Sequence, residues 1–332
     1  MLKKLLFTLP LLALLLCAIT PQTASAAPVV RDQTGFSYCY LQNRKYYRAA
    51  DIARYMRLRL NKLPRYYEMY GAAGRMVFNV NKNYGSFNGV VINYDFAPLE
   101  HAGELYISSS DFFNHVQVLF NPLSLRQIGV RTILIDPGHG GKDQGAAGAY
   151  SKEKDLTLQI ALRLQRQLKK VGYKVYVTRA SDRKLELSDR ARASNSIKAD
   201  LFISIHMNAA ANRSVRGIET FAITAPGAPS SGAKKVAYTS YPGNAAQHNS
   251  YALAWNVQSA LVKYTRANDR GVKHARFVVL RETRCPAILI ECGFISNRAD
   301  EKLLMSPSYQ EQLASCITYG IYNYHQKLLK RP

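Results

Sequence analysis

The sequence predicts an α/β fold, a mostly parallel sheet flanked by helices, preceded by a small α+β domain. Three observations carry that prediction. Residues 132–135, 200–205 and 287–290 are runs dominated by β-branched, aliphatic and aromatic residues, the composition of strands buried on both faces. A helical period separates the first two: Leu156, Ile160, Leu164 and Leu168 recur every four residues, and Gly172 stops the pattern. Strands alternating with helices build a parallel or mixed sheet with helices on its faces.

Taken in order, the chain opens with Lys3 and Lys4, an apolar run over 5–19 and an Ala24-Ser25-Ala26 end. This is the layout of a secretory signal peptide, residues 1–26, too short in its apolar part for a good membrane span. The chain without it is exported, with no stable membrane insertion, to the periplasm or cell envelope. Residues 35–121 read as the small α+β accessory domain: alternating strands at 75–80 and 89–94, a strand at 103–108, and a helix over 112–120 capped by Ser110 and Asp111. Its tyrosines, Tyr38, Tyr40, Tyr66, Tyr67 and Tyr70 among them, fit either half-buried strand positions or a sugar-stacking face.

A short link precedes the larger domain, 130–328. After the helix over 155–170 come a strand at 173–178, a helix at 188–196, and strands at 200–205 and 217–223. Residues 224–248 are rich in Gly, Ala, Ser and Pro and read as a long surface loop without a helix. A helix over 251–265, strands at 275–280 and 287–290, and a closing helix over 307–328 complete it.

Formal charge is +23, or +21 without Lys3 and Lys4. On an exported chain that charge suits an anionic cell envelope, or simply solubility, and no nucleic-acid-binding signature accompanies it. Cys39, Cys285, Cys292 and Cys316 are too sparse for a disulfide scaffold and lack paired zinc-ribbon spacing. One bridge among the last three, or buried thiols, would both fit an oxidising compartment.

The chemistry collects at strand ends. His139 follows the first buried run through Asp136-Pro137-Gly138, His206 ends the second, Glu291 ends the third, and Glu153 opens the helix between the first two. One parallel sheet brings all four to one edge, where open α/β sheets bind ligands. Two histidines and a carboxylate form a common catalytic zinc set that leaves a fourth position for water. His139, Glu153 and His206 are therefore the expected ligands of one Zn2+ ion, and Glu291 the carboxylate that moves protons. A glutamate at that place also fits an ion pair with a nearby arginine such as Arg281. Cys292 has the opposite strand parity to Glu291, and Ser204 lacks a nucleophile elbow.

The quoted runs, with Asp269-Arg270-Gly271-Val272-Lys273 and Val279-Leu280-Arg281-Glu282-Thr283, resemble the zinc-dependent N-acetylmuramoyl-L-alanine amidases of the Amidase_3 type. The resemblance covers about 130–328. It implies zinc on His139, Glu153 and His206, Glu291 as the catalytic carboxylate, and hydrolysis of the bond between N-acetylmuramic acid and L-alanine in peptidoglycan. Peptidoglycan is the expected partner, with a protein activator as a further candidate whose identity the sequence leaves open. The N-terminal region faintly resembles the small domain at the front of copper amine oxidases, in Tyr46-Tyr47-Arg48-Ala49-Ala50-Asp51-Ile52-Ala53 and Glu104-Leu105-Tyr106-Ile107-Ser108. A zinc peptidase cutting inside the stem peptide, or a non-catalytic wall-binding protein, would be the rivals.

Overall fold

The computed structural model describes residues 30–329, and the expected signal peptide at 1–26 lies outside the described residues. The three apolar runs are indeed buried on both faces. Ile133, Ile135, Ile203, Ile205, Ile288 and Ile290 point into the main core, while Leu134, Phe202 and Leu289 point into a second cluster on the opposite face. The alternation of the pleat sends successive side chains to opposite layers, so only an unbroken apolar run satisfies both. On the main-core side the helices Glu153–Lys170, Gln247–Thr265 and Pro307–Leu329 pack together. On the other side lie Leu187–Ser196 and Val278–Arg281.

The sheet corrects one expectation. Its eleven strands run from Lys174–Val177 through Thr132–Pro137, Leu201–Asn208, Ala287–Phe294, Ile218–Ile223 and Asp269–Ala275 to Val90–Asn93 and four more N-terminal strands. Five of its ten pairings are parallel and five antiparallel, so the sheet is mixed rather than mostly parallel. The parallel pairings lie where helices supply the crossovers. The antiparallel ones come from Ile218–Ile223 against Ala287–Phe294 and from the N-terminal hairpins, whose short turns permit no other direction.

Those hairpins reach the sheet through one tight seam. Val272 pairs with Ile92, the Val91 amide donates to Asp269 Oδ2 at 2.7 Å, and Trp255 Nε1 donates to the Phe87 carbonyl at 3.3 Å. Gly271, at φ +86°, is required here: a Cβ would stand 2.8 Å from the Val91 carbonyl. The remaining N-terminal strands make a separate five-stranded antiparallel sheet.

Two local readings also change. The strand expected at 275–280 ends at Ala275, and Val278–Arg281 is a helical turn, since so short an apolar run suits either state. The helix after Ser108 contains a π-helical stretch, Phe112–Val116. Residues 224–246 hold a small hairpin, Ala228–Pro229 against Val236–Ala237, and a 3-10 turn, with no α-helix before Gln247. Cys39, Cys285, Cys292 and Cys316 are free thiols.

Candidate active site

The loop after Thr132–Pro137 is held by two buried arginines. Arg190 pairs with the fully buried Asp136 at 2.8 Å and donates to the carbonyls of Pro137 and His139. Arg179 donates to the carbonyls of Pro137 and Gly138. Thr178 and Ser204 donate the remaining hydrogen bonds to Asp136. Ser204 is thus fully buried and engaged, which removes it as a nucleophile. The clamp fixes His139 at φ +60°, a left-handed conformation that costs a side-chain-bearing residue energy and so needs outside support.

His139, Glu153 and His206 meet. Glu153 Oε2 lies 3.2 Å from His139 Nε2, and Glu153 Oε1 lies 2.9 Å from His206 Nδ1. One donor atom from each of the three lies within 4.8 Å of the others. The backbone amides of Ala146 and Met207 donate to the same carboxylate and fix its plane. Two glycines make room. A Cβ on Gly138 would stand 2.3 Å from His206 Cε1, and one on Gly145 would stand 2.5 Å from Glu153 Oε2.

Burial alone would raise the Glu153 carboxyl, but hydrogen bonds from His139 and His206 override it and hold it well below the usual carboxylate range. Burial works against protonating His139, yet the Glu153 and Asp143 carboxylates outweigh it and raise its pKa. Such a site is built for positive charge. His139 Nδ1 faces the Asp143 carboxylate at 2.9 Å and Nε2 faces Glu153 Oε2 at 3.2 Å, so a neutral ring with its proton on Nδ1 would turn a lone pair toward a second acceptor. A cation between them resolves that conflict, and two imidazoles with a carboxylate suit zinc.

Glu291 sits across from His206 in the parallel strand pair and across from Glu219 on its other side. Its Oε2 is buried without a hydrogen-bond partner. Burial first, then the charges of Glu153 and Glu219, push its carboxyl well above the usual range, and Lys273 opposes them. Arg281 does not pair with it, contacting Glu282 instead. Cys292, one residue on, is in the main core, as opposite parity requires.

Sequence reasoning missed the residues that support these four. Asp143 orients His139, while Arg179 and Arg190 hold the loop. Glu219, on a strand buried throughout, binds Asn208, Arg270 and Lys273. The one available signal was a charged residue inside an apolar run: Glu219 interrupts 218–223 as Glu291 ends 287–290.

Residues 133–323 match the Amidase_3 family, N-acetylmuramoyl-L-alanine amidase. The chain belongs to this family. Among relatives of this amidase chain, the uncharacterized protein YqiI of Bacillus subtilis is 35% identical over 197 residues, 59% of this chain and 86% of that one. N-acetylmuramoyl-L-alanine amidase AmiC of Escherichia coli is 35% identical over 217 residues, 58% of this chain, and the chain spans only 52% of AmiC. The crystal structure of an N-acetylmuramoyl-L-alanine amidase from Clostridium difficile 630 superposes with a TM-score of 0.52 at 38% identity, covering 60% of this chain and 98% of that one. The family match begins at residue 133, which leaves the resemblance of the N-terminal region to copper amine oxidase domains unsupported.

Proposed function

We propose that this protein hydrolyses the amide between the lactyl group of N-acetylmuramic acid and L-alanine in peptidoglycan. One observation carries the reading: in a chain of the amidase family, the half-buried Glu291, whose buried Oε2 has no hydrogen-bond partner, stands across one strand spacing from the His139–Glu153–His206 cluster. His139, Glu153 and His206 would hold zinc, which when bound polarises the scissile carbonyl, acidifies the attacking water and draws Glu291 toward its ionised form.

The protein's own part is proton traffic. Ionised Glu291 takes a proton from the water as its oxygen bonds to the carbonyl carbon. The tetrahedral adduct then expels the L-alanine nitrogen, and Glu291 returns the proton to it, giving a lactyl carboxylic acid and a free amine, which pass one proton between them to end as carboxylate and ammonium. The Asn208, Arg270 and Lys273 contacts neutralise Glu219, so only part of its charge acts on Glu291. Residues 35–121 serve as an accessory unit, and the chain acts after export, at the periplasm or cell envelope. No helix of the described residues is long and apolar enough to cross a membrane.

Mass spectrometry of purified peptidoglycan digested by the zinc-loaded protein tests the reaction. Free stem peptides beginning at L-alanine are expected. Fragments cut inside the stem would instead mark a peptidase. Intact peptidoglycan would mean that activity needs a partner protein, or that the chain only binds the wall.

A further inference from the structure

A second cluster with the chemistry of a metal site lies on the other face of the sheet, where the N-terminal unit meets the amidase portion. Asp95 follows the strand Val90–Asn93, His115 lies in the π-helical stretch, and His274 is on the strand Asp269–Ala275. All three are buried, at 4%, 2% and 3% exposure, and one donor atom from each lies within 4.8 Å of the others. That is the limit met by His139, Glu153 and His206. His274 neighbours Lys273, which reaches Glu219, but strand alternation sends the two side chains to opposite faces. The clusters are therefore separate.

The hydrogen bonds fix where the protons are. His274 Nε2 lies 2.8 Å from the Asn93 carbonyl, an acceptor only, so the proton is on Nε2 and Nδ1 carries a lone pair. That Nδ1 is buried with no hydrogen-bond partner and faces Asp95 Oδ1 at 3.6 Å. His115 Nδ1 lies 2.8 Å from Asp111 Oδ1, a carboxylate already accepting from the Asp95 amide, so its proton is on Nδ1 and its lone pair on Nε2. Asp95 Oδ2 accepts from Ser110 and Asn114, which leaves Oδ1 free for the cluster. With both rings neutral, one nitrogen of each imidazole and a carboxylate oxygen thus meet in one cluster that holds no proton. Each imidazole has its other nitrogen anchored, as metal-bound histidines do.

We propose that Asp95, His115 and His274 bind a second divalent transition-metal ion, zinc by donor type, which fastens the N-terminal unit to the amidase portion. A cavity of about 10 Å3, lined also by Tyr251, has room for one water-sized species. The Tyr251 hydroxyl is buried there without a hydrogen-bond partner. Charge supports a cation there: Asp95 and Asp111 are both buried, and a divalent ion balances the pair. Ligands from three segments spread over residues 95–274 tie together parts that otherwise meet at the Val91–Asp269 seam. The site works by structure, not turnover, and stands whether or not the amidase reading does.

The test is a zinc count by mass spectrometry on the protein after chelation, reloading with excess zinc and desalting. Wild type is expected to hold two ions per chain. A His139→Ala/His206→Ala double variant should keep one, and its unfolding midpoint should fall when chelator is added. Asp95→Asn and His274→Ala should each lower the wild-type count from two to one. Cobalt loaded into the double variant should give a ligand-field spectrum. One ion in wild type, unchanged by Asp95→Asn and His274→Ala, would overturn the proposal. So would a folded double variant that holds none and is indifferent to chelator, which would make the cluster a network of protonated imidazoles.

Discussion

Glu291 and His206 are direct partners across a parallel strand pair, so the half-buried carboxyl stands beside the metal-type cluster from the adjacent strand. The same register pairs Ile203 with Ile288 and Ile205 with Ile290, all in the main core. A register slip of one residue would turn Glu291 to the opposite face and put Cys292 in its place.

That placement carries a stability consequence with a definite sign. The Glu291 carboxyl is raised by burial and by Glu153 and Glu219, so the folded state holds its proton to higher pH than the unfolded state does. Stability from this group is fully present at low pH and declines as pH climbs through the ordinary glutamate range toward the raised value. In metal-free protein, Glu291→Gln should therefore raise the unfolding midpoint at pH 8 and have little effect at pH 4. Thermal unfolding at the two pH values checks it, and a uniform loss at both would refute the assignment.

Asp51 predicts the opposite trend. Burial would raise its carboxyl, but Arg48 and the Ser37 amide hold it at about 2. Its stabilisation is present above the ordinary aspartate range and is lost as pH falls through about 2. Asp51→Asn should cost about 1–2 kcal/mol at pH 7 and almost nothing near the acid limit, as denaturant titrations at both pH values would read.

Much of this was legible in the chain, and the limits have a physical cause. His139, His206 and Glu291 show because they follow or end apolar buried-strand runs, where a polar residue stands out, and Glu153 shows because it opens the helix between the first two. Arg190, Arg179 and Glu219 do not show. Their partners, Asp136, the loop carbonyls and Lys273, are brought to them only by the tertiary fold. The mixed character of the sheet was hidden for the same reason. The seam between Val272 and Ile92 joins residues far apart in sequence, and no local pattern announces it.

The Asp136–Arg190 pair should prove costly to break from one side. Arg190→Met leaves a fully buried carboxylate without its cation and frees the His139 carbonyl, while Arg179 still donates to the Pro137 carbonyl. A loss of about 3–5 kcal/mol is expected, with weaker zinc binding because His139 is no longer held. Urea unfolding and a zinc competition titration measure the two effects.

Asp143 is exposed, and besides His139 its carboxylate accepts the Gly145 amide, so its removal should separate metal affinity from folding. Asp143→Ala should weaken zinc binding about 10–100-fold with little change in the unfolding midpoint. Unchanged affinity would mean that the Asp143 contact, 2.9 Å in this structure, does not set the imidazole.

The most direct measurement is turnover of a defined N-acetylmuramoyl-L-alanyl peptide by wild type and by Glu291→Gln, with zinc content determined on the same samples. The glutamine variant should keep its zinc and lose at least about 10²-fold in kcat, the share that a positioned proton-transfer group supplies. Wild-type rates in a zinc-loaded Glu291→Gln protein would contradict the central role given to that carboxyl.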